Sequence, residues 1–306
     1  MTAGERRRPA WNRPAAYRAS LPTAFLTHRL AGPIIPPVLE PLHLSESSEE
    51  DYPDGFFARA GYTFAMFGRL VALHFIVLSL IVRGRFEWGL TIAQMATVGV
   101  SSLPIVAMTL VFSGMVIGYH VGVQAGTLGV SPLAGWLVAE TMCRELSPVM
   151  AAFVVSARSG SAMTAELGTM KATEQIDALR AMATDPVEYL VVPRYIAGVV
   201  MLPLLAFLGD VFGTFGGYIM ACLSPQMNSH VYFVGIPGGV DTWDIVAGVL
   251  KALVFGMIMS LVCSYQGLTC RPDSERVGHA VLTAVVYCIV LVYAADVVLT
   301  AILYHG

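Results

Sequence analysis

Charged side chains are scarce in this chain. They make up 13% of its 306 residues, about half the roughly 25% of a soluble domain. A water-soluble globular protein is therefore excluded as a class. Net charge is −3, so the basic surface that nucleic acid requires is missing too. The sequence contains no G-x-x-x-x-G-K-[ST] loop for nucleotide phosphates, no H-E-x-x-H and no G-x-S-x-G. It carries five cysteines, Cys143, Cys222, Cys263, Cys270 and Cys288. None forms a C-x-x-C pair and most lie in apolar blocks, so they read as small packing residues and not as disulfides or metal ligands. Nothing here argues for an enzyme, and no cofactor or metal is expected on this chain.

The first 55 residues differ from the rest. Arg6, Arg7 and Arg8 lead into scattered prolines and then an acidic run from Ser45 to Asp51. No apolar core followed by a small-residue cleavage site marks a secretory signal. Residues 1–55 are expected to be a disordered cytoplasmic tail.

What is abundant is apolar sequence: 56% of the residues are hydrophobic. A membrane-spanning helix needs about 20 such residues. Five blocks meet this: about 92–119, 133–155, 195–222, 245–268 and 280–304. The block 56–85 contains Arg59, Arg69 and His74, and its clean apolar part, Leu70–Val82, is only about 13 residues. That length favours an interfacial helix over a span. The expected fold is an all-α integral membrane protein with one interfacial helix and five spans.

Basic residues set the orientation. Arg59, Arg69, Arg83 and Arg85 precede the first span, Arg158, Lys171, Arg180 and Arg194 follow the second, and Arg271 and Arg276 follow the fourth. The intervening loops Val121–Pro132 and Leu223–Thr242 carry no Lys or Arg. By the positive-inside rule the N-terminus lies in the cytoplasm and the C-terminus outside. Asp185-Pro186-Val187-Glu188 and Ser131-Pro132 read as helix starts, and Asp241 as a cap for the fourth span. Pro148, Pro193 and Pro203 should interrupt their helices.

Three patterns single out residues. Gly114, Gly118, Gly122 and Gly126 recur every four positions, as do Gly209, Gly213 and Gly217. Such spacing lets helix backbones approach closely, either within one subunit or across a dimer interface. Glu140, Arg144 and Glu145 lie inside the second span and Lys251 inside the fourth. Counted from the outer side, Arg144 is about 18 Å deep and Lys251 about 14 Å deep. Glu140 and Arg144 can pair as i,i+4 neighbours. The alternative is a polar band in a cavity wall, where Arg144 and Lys251 attract an anionic head group and Glu145 limits how tightly it is held. Asp210 and Asp296 read as helix-to-helix hydrogen-bond partners.

The third pattern is the polar segment Ser156–Arg194. Met163, Leu167, Met170, Ile176, Leu179 and Met182 fall mostly three or four apart, opposite Glu166, Lys171, Glu174, Gln175 and Asp177. This is an amphipathic helix over about 162–184, with a break expected near Gly168. Lipid-surface helices tend to be basic on their polar face. Three acids near the middle of this one fit a protein partner better.

This segment also carries a resemblance. AMTAELGTMKATEQIDALRAMATDPVEYLVVPRYIAG at Ala162–Gly198, with RELSPVMAAFVVSARSGSA before it, closely resembles the signature of the MlaE/YrbE permease family. These are the membrane subunits of MCE-associated lipid ABC transporters. FSGMVIG at Phe112–Gly118, LKALVFG at Leu250–Gly256 and DVVLTA at Asp296–Ala301 are weaker matches. The resemblance runs from about Phe56 to the C-terminus. It implies a homodimer in a bacterial inner membrane and a cytoplasmic coupling helix seated on a separate ATPase subunit, which would hold the ATP and Mg. It also implies an MCE-domain protein on the outer, periplasmic side and, in some systems, a small STAS-like subunit. Carried onto this chain, Glu166, Glu174, Asp177, Leu179 and Arg180 would lie at the ATPase contact. Arg144, Glu145 and Lys251 would lie near a lipid cavity, with Tyr119 at its mouth. The implied function is ATP-driven movement of lipids, with phospholipids as the expected cargo. An ion-coupled secondary transporter and a non-transporting membrane scaffold are the rivals. The first would show inverted repeats, and none is evident.

Overall fold

The computed structural model describes residues 56–84, 86–130, 133–223, 229–238, 240–271 and 273–304. The tail 1–55 and the Ser131-Pro132 helix start lie outside the described residues. Among those described, the regular structure is helical throughout. In chain order the α-helices are α1 (Phe56–Val82), α2 (Trp88–Met95), α3 (Leu103–Thr127), α4 (Leu133–Thr141), α5 (Ser147–Val155), α6 (Ser161–Ala172), α7 (Gln175–Ala181), α8 (Val192–Leu223), α9 (Ser229–Gly235), α10 (Thr242–Thr269) and α11 (Ser274–Tyr304).

Four wider π-helical turns join some of these: Ala96–Val100, Met142–Leu146, Ser156–Gly160 and Val187–Val191. Three of them come just before Pro104, Pro148 and Pro193. A proline has no N–H for the carbonyl four residues back and its ring crowds that carbonyl. One wide turn relieves the crowding without ending the rod. Pro203 lies inside α8, which continues through it.

Five helical runs are long and apolar enough to cross a membrane: Ala65–Val82, Trp88–Thr127, Val187–Leu223, Thr242–Thr269 and Glu275–Tyr304. Four coincide with expected spans. The fifth is the main part of α1, longer than the interfacial reading of 56–85 requires. Within Ala65–Val82 the sole fully charged side chain is Arg69, which donates to the Tyr265 hydroxyl at 3.3 Å. The block 133–155 is instead divided by the Met142–Leu146 turn into α4 and α5.

The rods pack around α8 and α10. α3 runs along α8, α8 along α10, and α11 along α10, while α6 lies against both α10 and α11. The closeness of α3 and α8 follows from their glycines. A Cβ on Gly114 would strike the Gly213 carbonyl, and one on Gly118 would sit 2.8 Å from the Gly217 Cα. The four-residue ladders therefore serve a helix contact within one chain, with Gly122 also buried. Gly198 and Gly256 do the same for α8 and α10. α1 seals one side with Met66, Leu70, Leu73, Val77 and Leu80, all buried at helical spacing, and leaves Phe67, Val71, Phe75, Leu78 and Val82 exposed. Exposed apolar faces recur on α3, α8 and α11, as expected where lipid is the solvent.

Candidate functional site: a buried ion network and a polar platform

Two groupings stand out, one deep in the bundle and one at its end. The deep one is built on the Met142–Leu146 turn. Arg144 and Glu145 are consecutive, so they point to different neighbours. Arg144 Nη1 pairs with Glu140 Oε1 at 2.6 Å, the expected i,i+4 pair, and its Nε pairs with Asp244 Oδ1 at 2.6 Å. The other oxygen of Asp244 accepts from the Asp241 backbone N–H at 3.0 Å, completing a capping box at the start of α10.

Glu145 turns to Lys251, whose Nζ lies 2.8 Å from Glu145 Oε2 and 3.1 Å from Asp296 Oδ1. The ammonium also donates to Thr300 Oγ1 at 2.7 Å and to the Arg144 carbonyl at 3.0 Å. In an α-helix that carbonyl would be served by residue 148, which is a proline without an N–H. Thr300 in turn donates to Glu145 Oε1 at 3.2 Å. The Tyr304 ring covers both cations, 4.8 Å from the Arg144 guanidinium carbon and 5.7 Å from Lys251 Nζ. Lys251 is 0% exposed, and a charge so buried persists only when paired.

The structure thus brings Arg144, Glu145 and Lys251 together. Tyr119 is not a member of the network: it is exposed on α3, its ring edge-on to His120 at 5.7 Å. Sequence reasoning missed Asp244, Thr300 and Tyr304 and gave Asp296 only a general packing role. The α11 signal was present, since Asp296, Thr300 and Tyr304 recur every four residues on one helix face. Asp210, on α8, is buried and one of its oxygens has no hydrogen-bond partner.

The second grouping is the polar segment after α5. It forms two helices, α6 and α7, and the break falls at Thr173–Glu174. It was expected at Gly168, which is instead buried, with the Cys270 thiol and Val277 where its Cβ would be. Glu174 takes left-handed backbone angles, φ 58°, and so does Ala183 beyond α7, φ 57°. Beneath the two helices lies an apolar cluster of Leu167, Ile176 and Leu190, with Met170, Leu179 and Leu268 against it. Met182, expected on the apolar face, is 67% exposed.

Side-chain bonds hold the platform to the bundle. Glu166 pairs with Arg194 Nη2 at 2.7 Å, and Arg194, only 4% exposed, also donates to the Leu190 carbonyl at 2.7 Å. Lys171 donates to the Leu268 carbonyl at 2.8 Å. Burial pushes its pKa below the ordinary lysine value, and burial likewise raises that of the neighbouring Cys270 thiol. Asp185 accepts from the Val187 N–H at 2.9 Å and so starts the next helical run, as its position before proline suggested. Asp177 and Arg180 pair with each other at 2.9 Å on the exposed face, where Glu174 is exposed too. Beside this platform, Phe86, Glu87 and Leu90 face Asp185, Glu188 and Tyr189 across a cleft of about 460 Å³.

These features define a multi-pass helical membrane protein. Its ion network lies inside the bundle, and a platform of two short helices is bonded to one end of it. The family described as Permease MlaE matches residues 91–302, more than two thirds of the chain. A probable ABC transporter permease protein of Rickettsia typhi is 35% identical over 81% of this chain and 93% of its own length. Another from Synechocystis is 36% identical over 78% and 92%. The intermembrane phospholipid transport system permease protein MlaE of Haemophilus influenzae is 34% identical over 80% and 91%. The chain belongs to the MlaE permease family and is a permease of the ABC-transporter type.

Proposed function

We propose that the chain is the membrane subunit of a lipid transporter, with phospholipid as cargo, driven by a separate ATPase. The observation that carries this reading is the α6–α7 platform. It is short, divided at Glu174 and ended at Ala183 by left-handed residues, tied to α8 and α10, and acidic on its exposed face. The name of the Haemophilus relative supplies the cargo class.

Two copies would form a closed symmetric dimer, the commonest symmetry among homo-oligomers of soluble proteins. It would sit in a bacterial inner membrane, N-termini cytoplasmic and C-termini periplasmic, with α1 as the interfacial helix. An ATPase would dock on each platform at Glu174, Asp177 and Arg180, holding its own ATP and Mg. Leu179 faces the apolar cluster and would stiffen the platform. Glu166, bonded to Arg194, would carry platform displacement into α8. An MCE-domain protein would exchange lipid at the outer side, and a small STAS-like subunit could bind the ATPase. Acyl chains would lie against apolar helix faces and the head group at the Arg144–Glu145 edge, with Tyr119 toward the outer mouth.

The test is copurification and turnover. Replacing both Glu174 and Asp177 with Lys should abolish copurification of the ATPase while the folded permease remains. Undiminished copurification would overturn the docking assignment. ATP turnover of the reconstituted complex that is indifferent to added lipid would overturn the transport reading.

A further inference from the structure

The ion network contains two cations, Arg144 and Lys251, and four carboxylates, Glu140, Glu145, Asp244 and Asp296. Its formal charge is therefore −2, against the anionic head-group site that the basic residues alone suggested. Lys251 is enclosed and held by Glu145, Asp296, Thr300 and the Arg144 carbonyl. It has no face to offer a ligand. Two members of the network do reach the surface: the side chain of Arg144 is 37% exposed and that of Glu145 40%. Asp244 and Glu140 take Nε and Nη1 of Arg144, and Nη2 is the amino group outside these two pairs. Each Glu145 oxygen holds one partner and has a second lone pair.

The open groups of the network are thus a guanidinium and a carboxylate on consecutive residues. Resting on the transport reading above, we propose that these two groups select zwitterionic lipids whose head group joins a phosphodiester to a primary ammonium. The phosphate oxygens would take Arg144 Nη2, and the ammonium would donate to Glu145. A head group bearing phosphate without a cation satisfies Arg144 but meets the excess negative charge. Selection comes as much from that repulsion as from the new pair. One solvent-screened ion pair is worth up to about 1 kcal/mol, or about fivefold in affinity.

The experiment uses the permease–ATPase complex in vesicles of equal parts phosphoethanolamine and phosphoglycerol lipid with identical acyl chains. After detergent extraction and washing, bound lipid is quantified by mass spectrometry. The expected result is about fivefold enrichment of the phosphoethanolamine lipid, falling to the vesicle ratio in Glu145→Gln. Bound lipid at or below the vesicle ratio in the unmodified complex overturns the head-group preference and leaves the transport reading intact. So does enrichment that survives Glu145→Gln in a folded variant. If the variant does not fold, the ratio in the unmodified complex decides alone. Finding neither bound lipid nor lipid-stimulated ATP turnover overturns the transport reading, and this preference with it.

Discussion

The Lys251 ammonium donates to the Arg144 carbonyl at 3.0 Å, at the point where Pro148 withholds the helix's own donor. One lysine on α10 therefore both repairs a break in the α4–α5 rod and neutralises Glu145 and Asp296. Replacing it with a neutral residue strands two carboxylates and an acceptor together. Lys251→Met should destabilise the protein by about 3–5 kcal/mol, the usual cost of removing one partner from a buried pair. Adding Glu145→Gln and Asp296→Asn should recover much of the loss. Thermal unfolding in detergent measures both, and a Lys251→Met protein as stable as the parent would show that the network is not held by this residue.

The α3–α8 contact gives a sharp contrast among glycines. A methyl group on Gly114 has nowhere to go, because the obstacle is the Gly213 backbone and not a flexible side chain. Gly114→Ala should cost about 1–3 kcal/mol by forcing the two helices apart. At Gly68, in α1, a Cβ would meet nothing within 4 Å. Gly68→Ala should be neutral or gain up to about 1 kcal/mol from helix propensity. Equal effects of the two substitutions on unfolding temperature would contradict the close approach.

Much of this arrangement was legible in the residues, for definite reasons. Four of the five expected spans reappear as long apolar helices because length against bilayer thickness is the main criterion. Depth arithmetic brought Arg144 and Lys251 to similar levels, since helical rise is constant. Asp241 and Asp185 announced helix starts because capping is local chemistry. The partners Asp244 and Tyr304 were not legible, because pairing between helices depends on rotation about each axis, set only by packing. The α6–α7 break misled for another reason. Glycine is the usual residue for a left-handed helix end, so Gly168 drew the assignment. The chain uses Glu174 there, and Gly168 serves as packing space for Cys270 and Val277.

Two acids of the platform should respond in opposite ways. Glu166 neutralises Arg194, which is buried. Asp177 pairs with Arg180 where both are exposed. Glu166→Gln leaves a buried guanidinium without its counter-charge and should cost about 1.5–3 kcal/mol. Asp177→Asn removes a screened surface pair and should cost less than about 1 kcal/mol. Binding of the ATPase should rank the other way, with Asp177→Asn the more damaging at equal folded fraction. Unfolding temperature and ATPase copurification measured on the same samples separate the two roles. A stability loss at Asp177 exceeding that at Glu166 would reverse the assignment.

Ala183 closes α7 in a manner normally reserved for glycine. Its N–H donates to the Arg180 carbonyl at 3.0 Å, and the Thr184 N–H donates to the Leu179 carbonyl at 3.1 Å. These are the two bonds of a Schellman helix end, in which the residue after the cap is left-handed. Alanine there, at φ 57°, bears a steric penalty of roughly 1–2 kcal/mol that glycine does not. Glycine gives back about 0.5–1 kcal/mol through the freedom of its unfolded chain. Ala183→Gly should therefore raise stability by up to about 1.5 kcal/mol, read as a higher unfolding temperature. A lower unfolding temperature would mean that the left-handed angle is not the native one. Because α7 is the element proposed to meet the ATPase, the same variant should be assayed for lipid-stimulated ATP turnover. Turnover that falls while stability rises would show that the strain at Ala183 holds α7 at the angle that coupling requires.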